Sequence, residues 1–290
     1  MNWFIISIAT AFFWGSSAVL AKIGTIRLSP RRILFTVGVT SFIFYLFIWI
    51  IFGSPFLPGN YLFPLLSEGC AAVSFIFYYR ALEEAPVSLI APITSSGIVI
   101  SILIGVFVFH NPITKIQVAA IFSITAGIML LSIKDIQFKN GIWEGKWIIP
   151  ALITMIGWGI WGGFSEISVR IVKPFNLNLF FAALALLIWT PYYLITGLKK
   201  KQKDNRIINA RLVKPRDFLF AISSAVVSDT GSVLFYLAVD ISYVSLVIPV
   251  ASLHPLVSVV YDVYNRNFPK PHQWIGIILI LTGLFFIQGK

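Results

Sequence analysis

Long apolar segments, separated by short polar turns, recur along the whole sequence. Most have about 20 residues, the length that an α-helix needs to cross the hydrocarbon core of a bilayer. Proline, glycine and asparagine mark the connections, as in RLSPRR and FGSPFLPGN. The pattern predicts an all-α integral membrane protein. Its ten transmembrane helices are predicted near residues 3–22, 32–52, 61–80, 87–109, 115–133, 147–169, 176–197, 217–238, 243–262 and 272–288.

The second half of the chain repeats the pattern of the first. Residues 78–92 read YYRALEEAPVSLIAP and residues 235–249 read FYLAVDISYVSLVIP, so a tyrosine, an alanine and the motif V-S-L-[IV]-x-P recur in register. A Trp-Gly pair at Trp14 in the first segment recurs at Trp158 in the sixth. The recurrence indicates a duplication of five spans.

The odd number of spans in each copy determines the predicted architecture. After five crossings, the second copy enters the membrane from the opposite side, so the two copies are predicted to be inverted relative to each other. We predict one five-helix repeat over residues 1–138 and a second over residues 139–290, which contains the basic loop 199–216. In transporters built from inverted repeats, the substrate site lies near the bilayer midplane between the repeats.

Composition and charge agree with a bilayer as the main solvent. The 290 residues are 58% hydrophobic and only 11% charged, whereas soluble domains carry about 25% charged residues. The net charge of +11 does not indicate a nucleic-acid partner, because the basic residues gather in short loops rather than in a stripe on a soluble fold. Eighteen of the 22 lysines and arginines lie on one side of the predicted spans. The positive-inside rule then predicts a multi-pass protein of the cell membrane with both termini outside the cytoplasm.

Taken together, these features resemble the EamA branch of the drug/metabolite transporter superfamily. The resemblance rests on the five-plus-five repeat, the Trp-Gly pairs, VSLIAP at residues 87–92, and Gln117 with Gly127 in the fifth span. The family often ends its fourth and ninth spans with Gly-Glu, whereas His110 and residues 265–267 stand there in this chain. The resemblance implies a secondary transporter of small metabolites, and export is the direction it favours.

Two carboxyl groups lie deep inside predicted spans. A charged side chain at the centre of such a helix costs about 2.5–3.5 kcal/mol even on lenient scales, which makes these residues candidates for function. Asp229 shares one helix face with Ser232 and Tyr236, and Glu68 shares the equivalent face of the third span with Tyr79. We expect both faces to line one central cavity, where Glu68 and Asp229 receive a substrate ammonium or a coupling proton. The alternative is a structural hydrogen bond to a neighbouring side chain.

Five further residues complete the predicted site. His254 lies near the middle of the ninth span. A contact with the substrate and a structural hydrogen bond to a neighbouring helix are equally good interpretations of this residue. Trp14 and Trp158 occupy equivalent places in the two repeats and are candidates for stacking or cation–π contact. Pro92 and Pro249 interrupt the fourth and ninth spans at related positions, either as hinges for alternating access or as static bends.

The remaining polar residues carry weaker signals. Charged residues nearer the ends of spans, Glu166 and Arg170 among them, are expected to reach headgroups or water. No second histidine stands at i+4 from His254 and no cysteine accompanies it, so no metal site is predicted. The sequence also has no phosphate-binding loop, no G-x-S-x-G, no H-E-x-x-H and no dinucleotide fingerprint. We therefore expect neither an enzyme nor a cofactor.

The sequence thus predicts a secondary transporter that moves a small polar metabolite, an amino acid or a related compound, by alternating access. A sugar or nucleotide-sugar transporter is the alternative within transport, although the few basic residues at the expected cavity count against a phosphate-bearing substrate. A membrane sensor that does not transport, or an intramembrane enzyme, is the alternative from another class. The expected partners are the solute, the lipid bilayer and a coupling proton, and the oligomeric state is left open.

Overall fold

The computed structural model describes residues 2–24, 28–56, 59–85, 87–133, 145–203, 215–264, 266 and 268–288. Within these ranges the chain forms α-helices and a π-helical turn, Ile104–Val108, and no β-strand. The α-helices are α1 (Trp3–Gly24), α2 (Pro30–Phe52), α3 (Leu62–Glu84), α4 (Val87–Ser95), α5 (Gly97–Leu103), α6 (Lys115–Ser132), α7 (Ile148–Val172), α8 (Pro174–Lys203), α9 (Pro215–Ile241), α10 (Val244–Ala251), α11 (His254–Tyr264) and α12 (Pro271–Ile287).

Eight helical stretches in the described part of the chain are long and apolar enough to cross a membrane. Seven of them fall within single helices, namely α1, α2, α3, α6, α7, α8 and α9, and the eighth runs through α10 into α11. Two shorter apolar stretches, Ile93–Val108 and Pro271–Ile287, occupy the places of the predicted fourth and tenth spans. The expectation of an all-α multi-pass membrane protein is therefore confirmed.

The outer surface of the bundle is apolar. Large hydrophobic side chains point outward from many helices; Phe122 on α6 is 70% exposed and Phe285 on α12 is 78% exposed. Many exposed large apolar side chains are unfavourable in water, but they match the hydrocarbon of a bilayer.

Helices from the two halves of the chain pack in an exchange-symmetric pattern. The closest pairs are α1 with α9, α3 with α7, α2 with α8, and α6 with α12. If each of the first five predicted spans is exchanged with its counterpart among the last five, the α1–α9 pair becomes the α7–α3 pair. The α2–α8 pair and the α6–α12 pair are each converted into themselves. The packing therefore has the pattern of a pseudo-two-fold arrangement.

The predicted fourth and ninth spans are both interrupted. Helix α4 ends at Ser95, and α5 begins two residues later at Gly97. Helix α10 ends at Ala251, and α11 begins at His254. Pro92 lies in α4 and Pro249 in α10, so each proline comes a few residues before an interruption. The breaks thus lie at related positions in the two halves.

Helices α6 and α12 approach each other so closely that their backbones touch. A Cβ atom at Gly127 would lie 2.6 Å from the carbonyl oxygen of Gly276, and a Cβ atom at Gly276 would lie 2.7 Å from the carbonyl oxygen of Gly127. Small residues allow this kind of contact between membrane helices, where packing and not the hydrophobic effect holds them together.

We expect Gly127→Ala to lower the free energy of unfolding by about 1–3 kcal/mol, because the added methyl group overpacks a backbone contact that cannot yield. Gly69→Ala is the matched control: it adds the same methyl group inside α3, where no heavy atom lies within 4 Å of the new Cβ position. Thermal unfolding of the two purified variants in detergent measures the difference. Equal Tm values for both variants and the wild type would contradict the close backbone contact.

Candidate functional site

Glu68 lies on α3 with a fully buried side chain. The Tyr236 hydroxyl group from α9 lies 2.9 Å from Glu68 Oε1 and 2.8 Å from Oε2, and it donates its hydrogen to this carboxyl group. Trp161 Nε1 on α7 donates in turn to Tyr236 Oη at 2.9 Å. Ser67 Oγ lies 3.0 Å from Glu68 Oε1 and 3.0 Å from the Trp161 carbonyl oxygen. These hydrogen bonds join helices of both halves of the chain around one carboxyl group.

Four aromatic rings from three helices form a continuous cluster next to Glu68. The Phe235 ring centre lies 5.4 Å from that of Trp14 and 5.2 Å from that of Trp161, and the two indole rings are 6.2 Å apart. Tyr236 adjoins Phe235 at 5.4 Å. Trp14 and Trp161 are only partly buried, so part of each indole remains uncovered. Indole faces attract cations, and this attraction adds to that of a neighbouring carboxyl group.

Asp229 belongs to a second buried cluster, between α9 and α2. The Tyr45 hydroxyl group on α2 donates to Asp229 Oδ1 at 3.0 Å. Ser41, one turn before Tyr45, faces the same carboxyl group. Ser232, one turn after Asp229, lies next to the Tyr45 hydroxyl group and accepts a hydrogen bond from Trp14 Nε1 at 3.3 Å. Ser232 and Trp14 therefore connect the Asp229 cluster to the aromatic cluster.

Tyr79 and Trp158 lie apart from Glu68. Tyr79 packs against Tyr78, with ring centres 5.6 Å apart, three helical turns along α3 from Glu68. Trp158 contacts Phe75 at 5.4 Å and Tyr78 at 5.1 Å. Both residues belong to aromatic packing nearer one end of α3. A shared helix face does not place two residues at the same depth, so they are not brought together with Glu68.

His254 borders the aromatic cluster from the interruption between α10 and α11. It is the first residue of α11, and its ring centre lies 6.5 Å from that of Trp14. Its Nδ1 atom is buried and has no hydrogen-bond partner within the described ranges. The structure thus brings His254, Trp14, Ser232, Tyr236 and Glu68 into one region.

The structure adds three residues to the predicted set: Trp161, Tyr45 and Ser41. Trp161 lies one helical turn from Trp158, and it is Trp161 that bonds to Tyr236. Ser41 and Tyr45 form a polar i, i+4 pair within the apolar second span. This i, i+4 spacing was the sequence signal that could have identified Ser41 and Tyr45 as site residues. It places both side chains on the face of α2 that meets α9.

A separate polar cluster lies at the end of α7. Glu166 Oε1 accepts from Arg170 Nη2 at 2.6 Å, and Oε2 accepts from Asn111 Nδ2 at 3.0 Å and from the backbone N–H of Val244 at 3.1 Å. Asn111 Nδ2 also donates to Ser245 Oγ at 3.0 Å. We call these five residues the Glu166 cluster. The expectation that Glu166 reaches headgroups or water is wrong, because its buried carboxyl group binds donors from three segments of the protein.

Local backbone structure places Asn111 in the Glu166 cluster. The π-helical turn widens the chain before His110, whose φ of 52° turns it out of the helix. The Asn111 N–H then bonds back to the Gly105 carbonyl oxygen at 3.0 Å. A side chain at Gly105 would collide with Ser245 Oγ, so glycine is needed at this contact. Single π-helical turns of this kind are frequent at functional positions.

The Glu68 region combines groups that can bind a small solute. The described residues contain no group of three or more His, Cys, Asp or Glu side chains that could hold a metal ion. The Glu68 region instead offers a carboxyl group, hydroxyl groups and indole rings in one place. Such groups recognise an ammonium group by charge, hydrogen bonding and cation–π contact.

Comparisons with known proteins show a shared fold and a shared sequence family. No curated protein sequence matches this chain. Among 28 matching chains of known structure, one described as "Crystal structure of protein" has a TM-score of 0.75, covers 99% of this chain and 96% of its own, and is 15% identical. At that identity the likeness shows the fold alone. The sequence profile of the EamA-like transporter family matches residues 1–133 and again residues 145–289. The resemblance seen in the sequence is thereby confirmed, and the chain belongs to the EamA-like transporter family.

Proposed function

We propose that this protein is a secondary transporter that exports a small polar solute bearing an amine, such as an amino acid or a related compound. Its family is one of transporters. The Glu68 carboxyl group, bonded to Tyr236 and bordered by Trp14 and Trp161, is the observation that supports the solute class. A buried carboxyl group inside a membrane needs a partner, and an ammonium group held against indole rings supplies one.

The proposed architecture has ten crossings in two inverted five-helix repeats, over residues 1–138 and 139–290. Helices α4 and α5 with the π-helical turn make the fourth crossing, α10 and α11 make the ninth, and α12 makes the tenth. The exchange-symmetric helix pairing supports this arrangement. The distribution of basic residues supports a cell-membrane protein with both termini outside and with the loop 199–216 inside. Within the segment predicted as a loop, residues 199–203 continue α8 and residues 215–216 begin α9. Residues 204–214 lie outside the described residues.

Alternating access requires each end of the protein to open in turn. The Glu166 cluster ties the end of α7 to the start of α10 and to the segment before α6. In the proposed topology all three segments lie on the outer side. Their hydrogen bonds would hold this end closed, and opening it would require that the Asn111 and Val244 bonds to Glu166 break. Pro92 and Pro249, beside the interruptions of their spans, are the proposed hinges.

Thiol labelling of intact cells tests the topology. Cys70 is the only cysteine, so a Cys70→Ala background accepts single new cysteines. Lys115→Cys, at the start of α6, is expected to react with a membrane-impermeant maleimide added outside, because this position lies on the outer side of the proposed topology. Lys146→Cys, just before α7, is expected to react only after the cells are permeabilised. Both residues are exposed. The reverse pattern, or equal labelling of both, would contradict the proposed orientation.

Transport in proteoliposomes tests the function. Purified protein is reconstituted, and uptake of radiolabelled L-amino acids and monoamines is compared with uptake of neutral sugars and nucleotide sugars. Saturable uptake of amine-bearing solutes above empty liposomes is expected. Saturable uptake of sugars alone would replace the proposed solute class with the alternative one. No uptake of any solute, by protein whose unfolding remains cooperative, would favour a sensor.

A further inference from the structure

The Asp229 carboxyl group has incomplete hydrogen bonding. Its Oδ1 atom accepts from Tyr45 at 3.0 Å, whereas its Oδ2 atom has no hydrogen-bond partner within the described ranges. Ser41 Oγ faces this carboxyl group and interacts with it, but the two groups do not form a hydrogen bond of good geometry. Asp229 is 5% exposed, and Ser41 and Tyr45 are each 1% exposed. Two buried oxygen atoms therefore lie beside each other without a well-formed hydrogen bond.

No positive charge in the described part of the chain compensates Asp229. Tyr45 from α2 is the titratable side chain in contact with it, and Tyr236 is the next titratable group along the cluster. The other helices that pack on α9 are α1, α7, α8, α10 and α3, whose Glu68 bonds to Tyr236. None of them presents a charged side chain to Asp229 among the described residues. An isolated ionised carboxylate in such surroundings costs several kcal/mol, so a bound cation or proton is expected to neutralise it.

The groups around this position are all oxygen atoms. Asp229 Oδ2 and Ser41 Oγ have no well-formed hydrogen bond, and the Tyr45 hydroxyl group lies 3.0 Å from Asp229 Oδ1 and 3.4 Å from the Asp229 carbonyl oxygen. No histidine or cysteine is among these contacts. Oxygen ligands without nitrogen or sulfur select hard cations, and a single carboxyl group matches one positive charge.

We propose that Asp229, Ser41 and Tyr45 form a binding site for a small monovalent cation, a proton or a sodium ion, separate from the Glu68 site of the solute. The role of this site in transport rests on the proposed function: occupancy by the cation would drive solute movement. Cation binding itself does not depend on a solute, so it can be tested without one.

A continuous set of contacts leads from the cation site to the solute site. Ser232 lies next to the Tyr45 hydroxyl group and accepts from Trp14 Nε1 at 3.3 Å. Trp14 is also 6.2 Å from Trp161, whose Nε1 donates to Tyr236 Oη. When a cation or proton occupies Asp229, the Tyr45 hydroxyl group no longer has an anionic acceptor. Its oxygen stays at the site as a ligand, while its hydrogen can reorient toward Ser232, which changes the hydrogen bond that orients the Trp14 ring.

Thermal unfolding of the purified full chain in detergent tests the cation site, with Na⁺ and H⁺ as the probes. A ligand that binds the folded state raises Tm by mass action. One arm compares NaCl with choline chloride at equal ionic strength and pH. The other lowers the pH in choline chloride from about 9 to about 5, a range in which buried carboxyl groups can change protonation. We expect a rise in Tm of at least about 2 °C in one arm.

Variants assign this response to Asp229. Asp229→Asn keeps the acceptor for Tyr45 but removes the charge, and it is expected to abolish the response. Ser41→Ala, which removes one oxygen and leaves the charge, is expected to weaken the response and remains informative if Asp229→Asn does not fold. Glu68→Gln is expected to keep the response to Na⁺, because Glu68 belongs to the other site. Glu68 is itself a buried carboxyl group, so the pH arm is run in the Glu68→Gln background, in which the response is expected to remain and Asp229→Asn is expected to abolish it.

The outcomes distinguish a sodium site, a proton site and the absence of a cation site at Asp229. A response to Na⁺ that needs Asp229 supports a sodium site, and a response to acidification alone that needs Asp229 supports a proton site. The absence of both responses in the wild type, or a response that Asp229→Asn leaves unchanged, overturns the proposal. A response lost in Glu68→Gln instead assigns the effect to Glu68 and also overturns it. Failure of solute uptake, by contrast, affects only the proposed function.

Discussion

Glu68→Gln is expected to weaken binding of amine-bearing solutes by about ten- to a hundredfold while the protein stays folded. The glutamine side chain has nearly the same volume and still accepts the hydrogen bond from Tyr236, so the contacts of α3 with α9 persist. What is lost is the charge-assisted bond to an ammonium group, which contributes about 1.5–3 kcal/mol. At about 1.4 kcal/mol per tenfold change in affinity, this loss corresponds to the stated range.

The concentration dependence of uptake into proteoliposomes measures this effect for the amine-bearing solute that the wild type transports best. Glu84→Gln is the matched control, because Glu84 is an exposed carboxylate at the end of the same helix. Tyr236→Phe should give a smaller loss, since it leaves the Glu68 carboxyl group in place and removes only its donor. An unchanged apparent affinity in Glu68→Gln, with normal Tm, would exclude Glu68 from solute binding.

Asp229→Asn is expected to abolish or uncouple transport. Without an ionisable group at the cation site, a gradient of protons or sodium ions can no longer drive accumulation, so the internal solute concentration should not exceed the external one. Solute exchange without a gradient should persist if the variant is only uncoupled, because the Glu68 cluster remains intact.

Accumulation driven by an imposed pH or sodium gradient, compared with solute exchange at equal conditions on both sides, separates these results. Asp240→Asn serves as the control, because Asp240 is exposed at the end of the same helix. Normal gradient-driven accumulation by Asp229→Asn would remove Asp229 from the mechanism. Loss of exchange as well, at unchanged Tm, would place Asp229 in solute binding rather than in coupling.

The sequence predicted the helices well because the bilayer imposes a length and a composition on each of them. The helical period relates residues on one helix directly, and the two predicted acids, Glu68 and Asp229, are both buried. That their faces line one central cavity stays a prediction. The sequence did not show how deep in the bundle each residue lies or which residues of other helices it contacts. Trp158 and Tyr79 share faces with site residues, yet they lie at other levels of the bundle.

The repeat did not indicate correctly which contacts individual site residues make. In the repeat alignment Glu68 corresponds to Ala225 and Asp229 corresponds to Ala72, and both alanines are buried. Each carboxyl group therefore meets an environment that its counterpart in the other repeat lacks: Glu68 bonds Tyr236, whereas Asp229 bonds Tyr45 from the second span. Pseudo-symmetry of the backbone did not imply symmetry of the sites.

Glu166 shows a second limit of sequence reasoning. Its place near the end of a span indicated contact with water, which is the usual outcome for such a residue. Its partners Asn111 and Val244 come from connections that are distant in the chain and that meet only in the folded bundle. The π-helical turn that positions Asn111 has no periodicity signal of its own.

The backbone contact between Gly127 and Gly276 also restricts which helices can move. If α6 slid along α12 by even one residue, a larger side chain would be driven into a carbonyl group of the opposite backbone. In the proposed alternating-access cycle, this pair is therefore expected to move as one rigid body with a fixed register. The proposed displacement that exposes the binding region to either side would then fall to the remaining helices, above all to the interrupted α4–α5 and α10–α11 segments.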